Sequence, residues 1–293
     1  IFRSLGDSIT PLIFLVVASV LNIILDLVFV LVFHMGVQGV AIATVIAQAL
    51  AFLLQIIIFR YRLKDYPSAN KSKIEIRSIL QLSKLALPTT SQEILISVGI
   101  VLTQVLVNRF GPNIVSSYTI TSKITEFVML PMVNLGIGMT VFTAQNVGAY
   151  QFDRVKNAYH SVLKITLSFG LIMALIVSLF ANQLISVFLG NNLTIEILDA
   201  GRIYLYFSAV TFIFMAILFP AESLLKGAGD INMFMYIATI GSVVKILLAI
   251  LLIPTYGVIG VWLGIAFGWF IEMILTLYRY RSNQWVNKRL KEL

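Results

Sequence analysis

Apolar residues along this chain gather in long runs rather than alternating with polar ones. Eight runs stand out, at residues 11–33, 37–59, 85–109, 114–148, 158–188, 199–224, 232–254 and 257–280. A helix needs about 20 residues to cross the hydrocarbon core of a bilayer, so each run can span once. The fourth and fifth exceed that length and are expected to extend past the bilayer or to bend. Pro88 and Pro131 lie inside runs, where each removes a backbone donor and favours a kink. Nowhere does the period-two alternation of a membrane barrel persist. The pattern predicts an all-α membrane protein with eight transmembrane helices.

The polar positions divide the chain. Residues 60–84 combine charge with Pro67, Ser68, Asn70 and Ser72, then an amphipathic stretch from Ile74 to Leu87, as expected of a linker between two bundles. The predicted organisation is a helical hairpin at 1–62, a linker at 63–84, a six-helix bundle at 85–281 and a tail at 282–293. An internal repeat supports it. Arg3-Ser4-Leu5-Gly6-Asp7 matches Lys226-Gly227-Ala228-Gly229-Asp230 at an offset of 223 residues, and Gly36-Val37-Gln38-Gly39-Val40 matches Gly257-Val258-Ile259-Gly260-Val261 at 221. Gly39, Ala43 and Ala47 then match Gly260, Gly264 and Gly268, a stripe of small residues that lets helices approach closely. Six spans separate the copies, so they share one orientation and form parallel repeats. Two helices precede the linker and six follow it. The expectation is a twelve-helix, two-lobe protein whose first four helices, about 140 residues, lie upstream. The start at Ile1, close to an apolar run too long for a signal-peptide core, reads as an interior cut.

Composition sharpens the class. Hydrophobic residues make up 59% of the chain and charged ones 12%, against about 45–50% and 25% in soluble domains. Too few polar side chains remain to cover a water-facing surface. The net charge of +8 would suggest nucleic acid in a soluble protein, but its distribution gives another reading. With the first loop in the cytoplasm, 17 of the 21 Lys and Arg residues fall on that side. Only Arg109 and Arg202 fall opposite, and Lys123 and Lys245 lie within spans. That bias places the C-terminus in the cytoplasm and no nucleic-acid partner is expected. Cysteine is absent, so disulfides and thiolate chemistry are excluded.

A family resemblance rests on several segments in order. Residues 3–11, Leu21-Asn22-Ile23-Ile24-Leu25-Asp26 and residues 36–44 resemble the end of the fourth helix through the sixth helix of the multidrug and toxic compound extrusion (MATE) transporters. Leu87-Pro88, Gln145-Asn146-Val147-Gly148-Ala149 and Lys226-Gly227-Ala228-Gly229-Asp230 resemble landmarks of their C-terminal lobe. The resemblance implies a cell-membrane antiporter of two six-helix lobes, monomeric at full length and without cofactor. It would export small organic, typically cationic, compounds by alternating access against inward Na⁺ or H⁺ flow.

Ionisable groups inside spans carry the candidate chemistry, since each costs about 2.5–3.5 kcal/mol at a helix centre. Asp26 lies mid-span, with Asn22 four residues before it on the same helix face. A carboxylate and an amide carbonyl are hard oxygen ligands suited to Na⁺, and the carboxylate also to a transferable proton. The alternative is an aspartate hydrogen-bonded for packing. The resemblance adds that some family members use the Asn and Asp at these positions, with a residue where Thr44 stands, as a cation site. In the repeat register Asn22 corresponds to Lys245 and Asp26 to Ala249, so the second copy lacks this carboxylate. Glu93, Glu126 and Lys245 are candidates for a substrate or cation site in the second lobe. Lys245 is open to pairing with a nearby acid, and Glu126 follows Lys123 by three residues, which suits a simple ion pair. Glu222 and Glu272, toward helix ends, are expected to meet headgroup water.

Other chemistries find little support. Gly227-Ala228-Gly229-Asp230 matches a string of intramembrane aspartyl proteases, but its repeat partner reads as a turn opening a helix, with Asp at the N-terminus. His34 and His160 fall on opposite faces and cannot form a two-histidine metal site. No phosphate-cradling loop is present, and no enzyme activity is expected. Asn192-Leu193-Thr194 fits a glycosylation sequon, for which chance is the default. The competing function is a flippase for a lipid-linked saccharide, which needs cations for a pyrophosphate; only Lys123 and Lys245 qualify.

Overall fold

Each apolar run folds as a helix in the computed structural model, which describes residues 7, 9–62, 76–189 and 194–286. Eight helices among these residues are long and apolar enough to cross a membrane, and the protein is a multi-pass membrane protein. The helices are α1 (Ile9–Leu27, continued by a π-helical stretch Val28–Val32), α2 (Gly36–Arg62), α3 (Ile76–Asn108), α4 (Pro112–Gly148), α5 (Phe152–Leu179), α6 (Ala181–Leu189), α7 (Ile195–Gly227), α8 (Ile231–Tyr256) and α9 (Val258–Arg281). Residues 3–6, 63–75, Asn192 and the basic residues of 287–293 lie outside the described residues.

Three boundaries differ from those read in the sequence. The fifth run breaks at Phe180, whose φ of −111° and ψ of 20° leave the helical region. Beyond it α6 buries Ala181 and Ile185 and exposes Asn182 and Gln183, so the long run is one span plus a short amphipathic helix. At the other end of the linker, α3 starts at Ile76, because the amphipathic stretch runs without a breaker into the apolar span. Trp285, assigned to the tail, is fully buried. Its ring stacks on Tyr280 and meets Phe152 edge-on, and its indole N–H donates to the Tyr280 carbonyl at 3.2 Å.

The structure divides into two units, Ile1–Ile76 and Arg77–Leu293. The first contains the α1–α2 hairpin. Asp7 opens it, its carboxylate accepting from the Thr10 amide at 3.0 Å and the Thr10 hydroxyl at 2.6 Å. The chain reverses at Gly36, with φ of +56°, a conformation open to glycine at little cost. In the second unit α8 and α9 form a corresponding hairpin that reverses at Gly257, with φ of +58°. Gly36 and Gly257 are repeat partners.

The close contacts of the two hairpins also correspond. A Cβ on Gly39 would lie 3.0 Å from the Phe29 Cβ, and one on Gly260 would lie 2.6 Å from the Leu252 backbone. Phe29 and Leu252 are themselves partners at the 223-residue offset. The stripe continues through buried Ala43 and Ala47 in α2. In α9 it continues through Gly264 and Gly268, each pressed against α8.

The second unit is organised around α7. In the most apolar window of that helix 56% of residues are buried, against 17–39% in the other spans of this unit. It packs against α4, α5, α6, α8 and α9. Hydroxyls tie the helices together where no water competes. Ser117 donates to the Ile197 carbonyl at 2.9 Å, and Thr166 to the Ala216 carbonyl at 2.7 Å. Large apolar side chains such as Leu171, Leu175, Leu247 and Leu251 point outward, as a lipid-facing surface requires.

Asp230 stands at the N-terminus of α8 after Gly229, whose φ is +81°. Its carboxylate accepts from the Arg279 guanidinium at 2.6 Å, with the two side chains 2% and 13% exposed. The aspartate of the protease-like string is thus engaged in a turn. Breaking a buried pair from one side costs about 3–5 kcal/mol, because the remaining charge loses its counter-ion. Arg279→Met should therefore lower the melting temperature in detergent, while adding Asp230→Asn to it should recover most of the loss.

Candidate functional site

In the first unit, α1 and α2 bring Asn22 and Thr44 together. The Asn22 amide donates to the Thr44 hydroxyl at 3.3 Å, and that hydroxyl donates to the Val40 carbonyl at 2.9 Å. Asp26 lies one turn from Asn22 on the half-buried side of α1. Its Oδ1 is buried without a hydrogen-bond partner. Buried polar atoms are nearly always satisfied, so an orphaned carboxylate oxygen needs a reason. A carboxylate, an amide and a hydroxyl offer oxygen ligands of the kind Na⁺ takes.

In the second unit, α3, α4, α7, α8 and α9 line an open cavity of about 730 Å³. Glu93, Glu126 and Lys245 all line it, so three side chains from three different helices share one space. Glu126 accepts from Lys123 at 2.8 Å on an exposed edge. Gln92, beside Glu93, is 4% exposed and its Oε1 has no partner. On another wall Tyr118 stacks on Trp262, with ring centroids 5.4 Å apart, and Tyr204 meets both rings edge-on. The Trp262 indole nitrogen is buried and unpartnered.

Glu222 and Glu272 do not meet headgroup water. They are 8% and 4% exposed and line the same cavity. Lys245 donates to Glu272 at 3.1 Å and sits over the Trp269 ring, 3.3 Å from its centroid. Distance from a helix end measures burial only for a peripheral helix. Glu222 is on the central helix, and Glu272 faces α8 where Gly241 makes room for it. The available signal was the repeat: Gly260, Gly264, Gly268 and Glu272 share one spacing, which puts Glu272 on the packed face of α9.

The lining thus holds four carboxyls, Glu93, Glu126, Glu222 and Glu272, against two ammonium groups, Lys226 and Lys245. Lys123 pairs with Glu126 from outside the lining and Lys245 pairs with Glu272 within it. Glu93, Glu222 and Lys226 remain in the cavity wall without an ion pair to any described residue, among aromatic rings. Among the described residues no group of three His, Cys, Asp or Glu side chains is placed to hold a metal ion.

Comparison with known proteins agrees with this architecture. The MatE family profile matches residues 88–251. The probable multidrug resistance protein YoeA of Bacillus subtilis is 26% identical over 302 residues, covering 99% of this chain and 64% of that protein. The probable multidrug resistance protein YpnP of the same organism is 26% identical over 292 residues, with the same coverage. The chain therefore spans 64% of the length of these curated relatives. Among solved structures, a mutant of the Vibrio cholerae MATE transporter VcmN superposes with a TM-score of 0.85 at 20% identity, over 96% of this chain and 64% of that one. At that identity the likeness speaks to fold alone.

Proposed function

The chain belongs to the MatE family, the multidrug and toxic compound extrusion transporters, and on that premise we propose that the whole protein is an ion-coupled exporter of small organic cations. The observation that carries the reading is the cavity of the second unit, where Glu93, Glu126, Glu222 and Glu272 line the wall together with Tyr118, Tyr204, Trp262 and Trp269. Organic cations are held by such a combination, the carboxylates supplying charge and the ring quadrupoles a desolvated surface.

Coupling is assigned to Asn22, Asp26 and Thr44, with Na⁺ or H⁺ as the ion. Filling of this site would favour the state that releases substrate, in an alternating-access cycle. Glu93, Glu126 and Lys245 are assigned to the substrate side. The 17-to-2 distribution of basic residues supports a plasma-membrane protein with its C-terminus in the cytoplasm. The flippase reading gains nothing from the geometry. It needs ammonium groups free for a pyrophosphate, and Lys123 is paired with Glu126 and Lys245 with Glu272, while Lys226 lies over the Phe234 ring.

The test is ethidium efflux from proteoliposomes containing the whole protein, with an imposed Na⁺ gradient, an imposed proton gradient, or neither. Efflux should depend on one of the two gradients. Equal efflux in all three conditions would remove the coupling. Transport of a lipid-linked pyrophosphate without transport of ethidium would replace the exporter by a flippase.

A further inference from the structure

The Lys245 ammonium occupies a place built for a cation. On one side it has the Glu272 carboxylate at 3.1 Å, on another the face of Trp269 at 3.3 Å. A carboxylate beside an indole face is the pairing that recognises ammonium ligands. Two glycines make the place. A Cβ on Gly241 would lie 2.6 Å from the Glu272 carboxylate, and one on Gly268 would overlap the aliphatic stem of Lys245. The lysine and glutamate side chains are 16% and 5% exposed, and both reach the cavity.

The hairpin itself does not require this pair. In the repeat register Lys245, Gly268 and Glu272 correspond to Asn22, Ala47 and Ala51. The first hairpin has the same turn glycine and the same Phe29–Leu252-type contact with neutral residues at all three positions. Buried ion pairs often add nothing to stability compared with apolar packing, so this pair needs another reason. We propose that Lys245 is a tethered occupant of an ammonium subsite formed by Glu272 and Trp269, and that an organic cation binds there by displacing it. The four-carbon stem gives the ammonium somewhere to go. The displaced ammonium stays within the cavity, whose lining also includes Glu222. Affinity for the ligand is then set by competition with the protein's own cation. The class of ligand rests on the exporter reading above.

Calorimetric titration of benzyltrimethylammonium into the whole protein in detergent tests the inference. Lys245→Met, which keeps the packing of the stem and removes the charge, should bind at least about tenfold more tightly than the parent. Lys245→Arg, which keeps the charge, should show no gain, and adding Glu272→Gln to Lys245→Met should abolish it. If the two unscreened carboxylates prevent folding, Lys245→Met with Glu222→Gln leaves a single counter-ion and should show the same gain. Unchanged or weaker binding by the folded variant without Lys245 would overturn the proposal. Parent ethidium efflux separates the two readings. A parent that exports ethidium while Lys245→Met gains no affinity sinks the tethered cation alone. A parent that exports no cation while Lys245→Met does gain sinks the exporter reading alone.

Discussion

Asp26→Asn should reduce ion-coupled efflux to background while leaving the helices folded. The Asp26 Oδ1 is buried and unpartnered, and an amide in its place accepts no proton and brings no negative charge to Na⁺. Removing a charge from a membrane interior relieves a desolvation cost of about 2.5–3.5 kcal/mol on insertion scales. The melting temperature in detergent should therefore hold or rise, so that lost efflux reports lost coupling. Thr44→Ala should weaken coupling less. Its hydroxyl proton is committed to the Val40 carbonyl and one lone pair to the Asn22 amide, so it has little left to offer a cation. Glu93→Gln is the control from the other unit. Dye efflux from proteoliposomes under an imposed gradient decides between them. Normal efflux by Asp26→Asn together with none by Glu93→Gln would move coupling to the second unit.

Gly264→Val should be among the most destabilising single changes in the molecule. A Cβ at this position would lie 2.6 Å from the Ala249 amide nitrogen and the Lys245 carbonyl oxygen. Both are backbone atoms of α8, which cannot rotate away as a side chain would. Overpacking commonly costs about 1–3 kcal/mol when neighbours can adjust, and here the cost should reach or exceed the top of that range. By the scaling of soluble domains, about 3 kcal/mol corresponds to a fall of about 6–12 °C. Gly138→Ala in α4, where an added Cβ meets nothing within 4 Å, should be neutral or stabilising by up to about 1 kcal/mol, since alanine costs less than glycine in a helix interior. Thermal denaturation in detergent of both variants checks the contrast. Equal melting temperatures would mean that α8 and α9 can move apart freely.

The spans were legible because their signal is local: length and hydropathy decide whether a segment crosses a bilayer, whatever surrounds it. The hairpins were legible for a second reason. Gly36, Gly39, Gly257 and Gly260 meet backbone constraints that few residues satisfy, so the same letters recur where the same turn recurs. As candidates, Asn22 and Asp26 stood out as polar exceptions in an apolar run and Thr44 came from the family resemblance, while the contact between Asn22 and Thr44 follows from the hairpin register. Glu222 and Glu272 were not. Their burial comes from α7 lying at the centre of its unit and from Gly241 opening a recess across the helix interface, both products of assembly. Phe180 was missed because a helix can end on an ordinary residue where no glycine or proline marks the place.

The paired hairpins also bear on how such a protein can change over generations. A duplicated element stores steric and electrical information at different positions, and here the two kinds have parted company. The turn glycine and the small-residue contact recur in both copies, while Asn22 and Ala51 in one stand where Lys245 and Glu272 stand in the other. Drift at the first set disturbs the architecture, whereas drift at the second rewrites only the charge presented. A lineage can therefore alter the charge that one copy presents at little risk to either fold.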